Sequence, residues 1–149
     1  VGDLEKLAKL DRKMAVLAVL TAEGIKPVSR IDSFEGPEKV VEELLEKMGL
    51  KVEIKTEGCK SEILFGKSKG LKNYHEAMKL KGSERVYKTG LAFGYPNCCS
   101  KYFSKFLAGI RQEKPPKLKP LEHFSCPDCR FSHSLQKKYQ ETYDLFDLA

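Results

Sequence analysis

The sequence predicts an α/β or α+β protein, a single domain over residues 1–149 with five or six helices packed on a small sheet. Three observations predict it. Apolar residues recur at three- and four-residue steps over most of the chain, the spacing of amphipathic helices. The period drops to two between residues 50 and 66, which marks a strand pair. The apolar faces of the first two helices need a second layer, and the sheet is the available one.

Leu7, Leu10, Met14 and Leu17 repeat at helical spacing, with Lys6, Lys9, Arg12 and Lys13 on the wet side. They predict a first helix over 3–22, ended by Gly24 and Pro27. Val28 to Ile31 adds a candidate strand. Pro37 suits the first position of a second helix, Glu38 its positive end, and Gly49 its close. Leu50, Val52 and Ile54 then alternate with Lys51, Glu53 and Lys55, a half-buried strand. Glu57 to Lys60 is a turn and Ser61 to Phe65 the returning strand, giving the 50–66 hairpin. A helix over 69–80 carries His75 on its apolar stripe, where a hydrogen-bonded structural histidine is the expected role. Ser83 caps a short helix or turn through Tyr87. Residues 1–90 thus read as scaffold and 91–149 as a cysteine-bearing helical part. The prolines at 115, 116 and 120 make 113–120 an extended connection between two helices.

Composition bounds the function. Hydrophobic residues are 41% and charged residues 32%, a well-solvated globular balance. The longest apolar run, Met14 to Leu20, is too short to span a bilayer and, among charged neighbours with no small-residue cleavage pattern nearby, does not look like a signal peptide, so the cytoplasm is the expected compartment. The formal net charge is +6. Its lysines interleave with glutamates, no basic run exceeds two residues, and Lys/Glu richness also marks proteins of hot environments. The charge therefore reads as a solvated face. Nucleic acid is permitted by it, but no RNA- or DNA-binding motif accompanies it.

Five cysteines is an odd number for a secreted disulfide scaffold. Cys59 stands alone in a turn and receives no role. Cys98 and Cys99 follow Asn97, a good N-cap, and so occupy the first turn of a helix, where free N–H groups favour thiolates. Cys99 is in phase with Tyr102, Phe103 and Phe106, whereas Cys98 lies about a hundred degrees around. That offset argues against both binding one ion. In the second pair, Ser125 reads as an N-cap and Pro127 as an early helical residue. Cys126, Cys129 and His133 then share one helix face, apart from an apolar stripe of Phe131, Leu135, Tyr139 and Phe146.

The pattern Phe93-Gly94-Tyr95-Pro96-x-Cys98-Cys99, followed by His123-Phe124-x-Cys126-x-x-Cys129-x-x-Ser132 and Tyr139, resembles that of an uncharacterised prokaryotic family well represented in archaea. The resemblance covers mainly residues 90–140 and implies no reaction. It implies that Cys98, Cys99, Cys126, Cys129 and Ser132 belong together, with Tyr95 in the same motif.

Four functional readings remain. In the first, thiolates bind zinc or a similar metal through Cys126, Cys129 and Cys98 or Cys99, with His123 the preferred imidazole and His133 the other candidate. In the second, Cys98 or Cys126 is the nucleophile of a thiol enzyme or thiol–disulfide redox protein, although the strand preceding a thioredoxin-like motif is missing. The third is a basic nucleic-acid-binding module using Lys101, Lys105, Arg111, Lys114, Lys117 and Lys119. The fourth has the cysteines packed as small hydrophobes or paired in disulfides. Whether the protein is an enzyme is open, and no membrane partner is expected.

Overall fold

The computed structural model describes residues 2–110, 113–119, 123–127 and 129–146, with the His123 side chain outside that description. Within them the protein is α+β, with seven helices, a three-stranded antiparallel sheet and a two-stranded ribbon. The chain divides into two compact units, one of residues 1–71 with 142–149, the other of residues 72–141.

The first unit holds α1 (Gly2–Leu10), α2 (Arg12–Ala22), β1 (Val28–Phe34), α3 (Glu38–Lys47), β2 (Lys51–Glu57) and β3 (Lys60–Gly66). A continuous helix over 3–22 does not form. Asp11 adopts an extended backbone and its carboxylate accepts from the Met14 N–H at 2.9 Å, so it caps a new helix where the hydrophobic period runs on unbroken. This break, together with a full helix where Ser83 suggested a short helix or turn, brings the helices to seven. Met14 to Leu20 is the core of α2, with Met14, Ala15, Val16, Leu17, Ala18 and Leu20 buried. The helix packs on α1, β1 and β3, and the Thr21 hydroxyl ties it to Ser29 of β1 at 2.7 Å.

The sheet order is β1-β3-β2. Glu57 pairs with Lys60, leaving a two-residue loop in which Gly58 takes φ 65°, as a tight hairpin requires. In β1 the register slips between Ile31 and Phe34, where Ser33 has φ 56°. One extra residue there forms a bulge. No helix among the described residues is long and apolar enough to cross a membrane.

The second unit takes the end of α4 (Ser68–Met78), then α5 (Gly82–Ala92), α6 (Asn97–Leu107), β4 (Lys117–Leu118), β5 (His123–Phe124) and most of α7 (Arg130–Leu145). Helix α5 ends in a Schellman motif, with Tyr95 N–H to Gly90 O at 3.1 Å and Gly94 N–H to Leu91 O at 3.0 Å. Gly94 sits at φ 87°, the left-handed position this closure needs. Pro96 then holds an extended backbone and α6 starts at Asn97. Asn97 is thus the first helical residue rather than the cap, and its side-chain oxygen accepts from the Tyr87 hydroxyl. Helices α5 and α6 approach closely at Gly90, where a Cβ would lie 2.5 Å from Ser100 Oγ. Within the extended connection, Lys117–Leu118 pairs with His123–Phe124.

The final helix begins later than its capping pattern suggests. Ser125 and Cys126 have no regular structure, Pro127 lies in a turn, and α7 starts at Arg130. Its inner face follows the apolar stripe only in part: Tyr139 of the stripe is buried and Leu135 half-buried, but Phe131 is 63% exposed and Ser132 and Gln136 are buried instead.

The units differ in what they bury. The first packs Leu7, Met14, Leu20, Val41, Leu45, Ile63 and Phe65, among others. Among the described residues of 72–141, no Leu, Ile, Val, Met or Phe is buried. The buried set there is Tyr74, Ala77, Gly90, Ala92, Cys99, Tyr102, Pro115, Cys129 and Tyr139, with several serines and Gln136.

Candidate metal centre

Cys98 and Cys99 are the second and third residues of α6, and Cys126 and Cys129 flank the turn before α7. All four Sγ atoms lie within 4.8 Å of one another. Cys98 Sγ is 4.0 Å from Cys99 Sγ and 3.6 Å from Cys129 Sγ. Cys99 Sγ is 3.8 Å from Cys126 Sγ and 3.5 Å from Cys129 Sγ. A zinc ion with Zn–S bonds of about 2.3 Å at the centre of a tetrahedron separates its sulfurs by about 3.8 Å. The spacing therefore suits four thiolates on one ion. The cysteines are free thiols, not disulfides.

The adjacent cysteines do converge, against the expectation from their angular offset. Every Cα–Cβ bond of a helix tilts toward the N-terminus. In the first turn both thiols lean past the helix end, where the 126–129 turn supplies the other two. Cys126 and Cys129 meet them from a turn and not from the face of a helix. Cys99 and Cys129 are buried, Cys126 half-buried and Cys98 exposed.

The surroundings are built for negative charge. The Cys126 N–H donates to Cys99 Sγ at 3.4 Å, and Ser132 Oγ lies 2.9 Å from the same sulfur. The Ser125 N–H donates to Pro116 O at 2.9 Å, which extends the ribbon to the edge of the cysteine turn. Phe124 of β5 stacks on Phe103 of α6, with centroids 4.6 Å apart and planes 8° from parallel. This contact seats the ribbon on the helix that carries Cys98 and Cys99.

Thiol acidities separate accordingly. Burial pushes the Cys129 thiol up, but the Ser132 N–H and hydroxyl, with Cys99 and Cys98, outweigh it and bring its pKa to about 6. Cys126 moves well up, through burial first and then through hydrogen bonds with Cys129 and Cys98. Cys98 is also raised, by desolvation among the other sulfurs and then by its bond with Cys129. Without a cation, Cys129 is lowered toward the thiolate while Cys98 and Cys126 are held as thiols.

The other candidates take different places. His133 is exposed on α7, and no histidine or carboxylate among the described residues joins the four cysteines. His123 belongs to β5 by its backbone. Tyr95 packs against Phe93, with centroids 6.3 Å apart, and over Gly90. Cys59 is exposed in the hairpin turn. What residue spacing could not supply is the Cys126 N–H bond and the Phe103–Phe124 stack, since both depend on the ribbon's pairing.

The chain matches no protein-family model, and neither the curated proteins nor the solved structures include a significant match to it.

Proposed function

We propose that residues 72–141 form a metal-stapled module in which Cys98, Cys99, Cys126 and Cys129 hold one zinc ion in a structural role. The observation that carries this reading is the mutual spacing of the four sulfurs. Four thiolates fill a tetrahedral ion and leave no open position for a substrate, the arrangement of structural zinc. The set is complete without His123 or His133. An iron–sulfur cluster spreads its four cysteines over two irons or four, so at least the cysteines on different irons stand farther apart than these sulfurs do.

The core of the unit supports a structural role. Seventy residues whose described large buried side chains are tyrosines, with Leu and Phe at most half-buried, have a small core, and small units of that kind commonly carry a staple. The ion would join the start of α6 to the start of α7 across the 26 residues between Cys99 and Cys126. It supplies charge to pair with the thiolates, while Ser132 and the Cys126 N–H orient Cys99 and share its charge.

Cobalt substitution tests the reading. Co(II) added to metal-free, reduced protein should bind one to one, with the intense thiolate charge-transfer and visible bands of a tetrahedral all-sulfur site. Zinc should displace it, and Cys99→Ser or Cys129→Ser should abolish the spectrum. A chain that takes up no cobalt and loses thiols in pairs on mild oxidation would instead be a dithiol redox protein.

A further inference from the structure

Charge is divided unevenly between the two units. Residues 72–141 carry fourteen Lys and Arg against six Asp and Glu, a formal net of +8. The rest of the chain carries thirteen against fifteen, a net of −2. The whole-chain value of +6 therefore conceals one strongly basic unit beside a slightly acidic one. Interleaved lysines and glutamates describe the first unit well and the second poorly.

Basic residues of the second unit follow each cysteine pair along the chain. On α6, Cys98, Lys101 and Lys105 follow at three- and four-residue steps and all are exposed, so the outermost cysteine heads a basic helix face. Arg130 follows directly on Cys129, whose sulfur lies 3.6 Å from that of Cys98. Phe131 comes next, largely exposed, with the Arg130 guanidinium 5.8 Å from its ring centre. Beside α6, a cleft of about 350 Å³ is lined by Tyr87, Lys101, Ser104 and Lys105, with Glu84 the one acid among the described residues that line it.

From this arrangement we infer that residues 72–141 bind single-stranded nucleic acid across the face formed by Lys101 and Lys105 of α6 with Arg130 and Phe131 at the head of α7. Lysines spaced along a helix meet successive phosphates, and binding then gains from counterion release. An exposed ring beside a guanidinium is a platform for an unpaired base. Stacking requires a free base face, which a duplex hides, so the single strand is the favoured form.

The test is fluorescence anisotropy on the full chain. The probes are uridine and thymidine oligonucleotides of about 15 nucleotides, a length one small module can cover, and a duplex of equal length. At low salt, about 50 mM, the single strands should bind with Kd of about 10 μM or tighter and weaken steeply as salt rises. The duplex should bind at least about tenfold more weakly. Lys101→Glu with Lys105→Glu should weaken binding more than about tenfold and flatten the salt dependence by about 1.4 in log–log slope. Phe131→Ala should cost about tenfold and leave that slope unchanged. The matched reversal Lys51→Glu with Lys55→Glu, on exposed positions of β2, should have no effect. Equal binding of uridine and thymidine strands assigns single strands generally, and a preference for uridine assigns RNA; both support the inference. Duplex binding as tight as single-strand binding overturns it, as does an equal effect of the β2 reversal. Tighter binding to phosphatidylserine vesicles than to either oligonucleotide would make the face a membrane contact instead. The metal content of each variant is read separately, so failure of either reading leaves the other testable.

Discussion

Ser132 is the residue whose chemistry ties the cluster together. Its hydroxyl is 2.9 Å from Cys99 Sγ, and its N–H and hydroxyl are what lower the Cys129 thiol. Groups that orient metal-bound ligands typically contribute ten- to a hundredfold in affinity. Ser132→Ala should therefore weaken zinc binding by at least about tenfold, measured by competition with a chromophoric chelator, with the fold unchanged in the zinc-loaded form. The thiol acidities give a second expectation. Cys98 and Cys126 are held protonated and Cys129 ionises near pH 6, so zinc binding at pH 7 must expel protons from at least Cys98 and Cys126. Calorimetry in buffers of different ionisation enthalpy should show two or more protons released per ion, and affinity rising with pH. Release of one proton or none would contradict these acidities. The cysteines themselves were legible in the sequence because thiols in two close pairs are rare by chance. Their convergence was not, because an angular offset on a helical wheel ignores the tilt of side chains past the helix start.

Elements were legible where periodicity was strong and one-sided. The 50–66 hairpin matches β2 and β3 because alternation and a Gly-containing turn both specify it. The break at Asp11 was hidden, since Leu10 and Met14 keep helical phase through it. Asp11→Ala should cost about 1 kcal/mol of stability, seen as a lowered midpoint in urea, because the Met14 N–H loses its acceptor. No change would mean that the helices α1 and α2 are set by packing alone. Helix α7 was misread for a different reason. Its hydrophobic stripe is right at Tyr139, which is buried, but wrong at the head, where Phe131 is exposed and Ser132 and Gln136 turn inward. Hydrophobicity finds inner faces that pack on apolar layers, and the head of this helix faces sulfurs and hydroxyls that need polar neighbours. A Ser-Cys-Pro start likewise reads as a helix cap in isolation, whereas the thiols hold the segment as a turn ahead of Arg130.

At the scale of the molecule, the two units bury different chemistry, and their stabilities should respond differently to metal. The first has an aliphatic core of α2 and the sheet. The second has a thin, polar interior and four thiols. Hydrogen exchange on the full chain should show that a zinc chelator strips protection from α6 and the start of α7 while β1 and β3 keep theirs. Uniform loss across both units, or no loss in either, would contradict a metal that serves one unit. The charge partition belongs to this scale too. It is invisible in the whole-chain sum because the basic residues are shared almost evenly, thirteen and fourteen, while the acidic ones fall mostly outside 72–141, fifteen against six.

The most direct test of the central claim is elemental analysis of freshly purified, reduced protein beside its Cys126→Ser, Cys129→Ser double variant, with reactive thiols titrated on the same samples. A four-thiolate zinc staple gives close to one zinc per chain in the parent, most of it lost in the variant, and four thiols that become reactive only when a chelator is added. A parent chain with no bound metal and all five cysteines freely reactive, while 72–141 keeps its exchange protection, would contradict it.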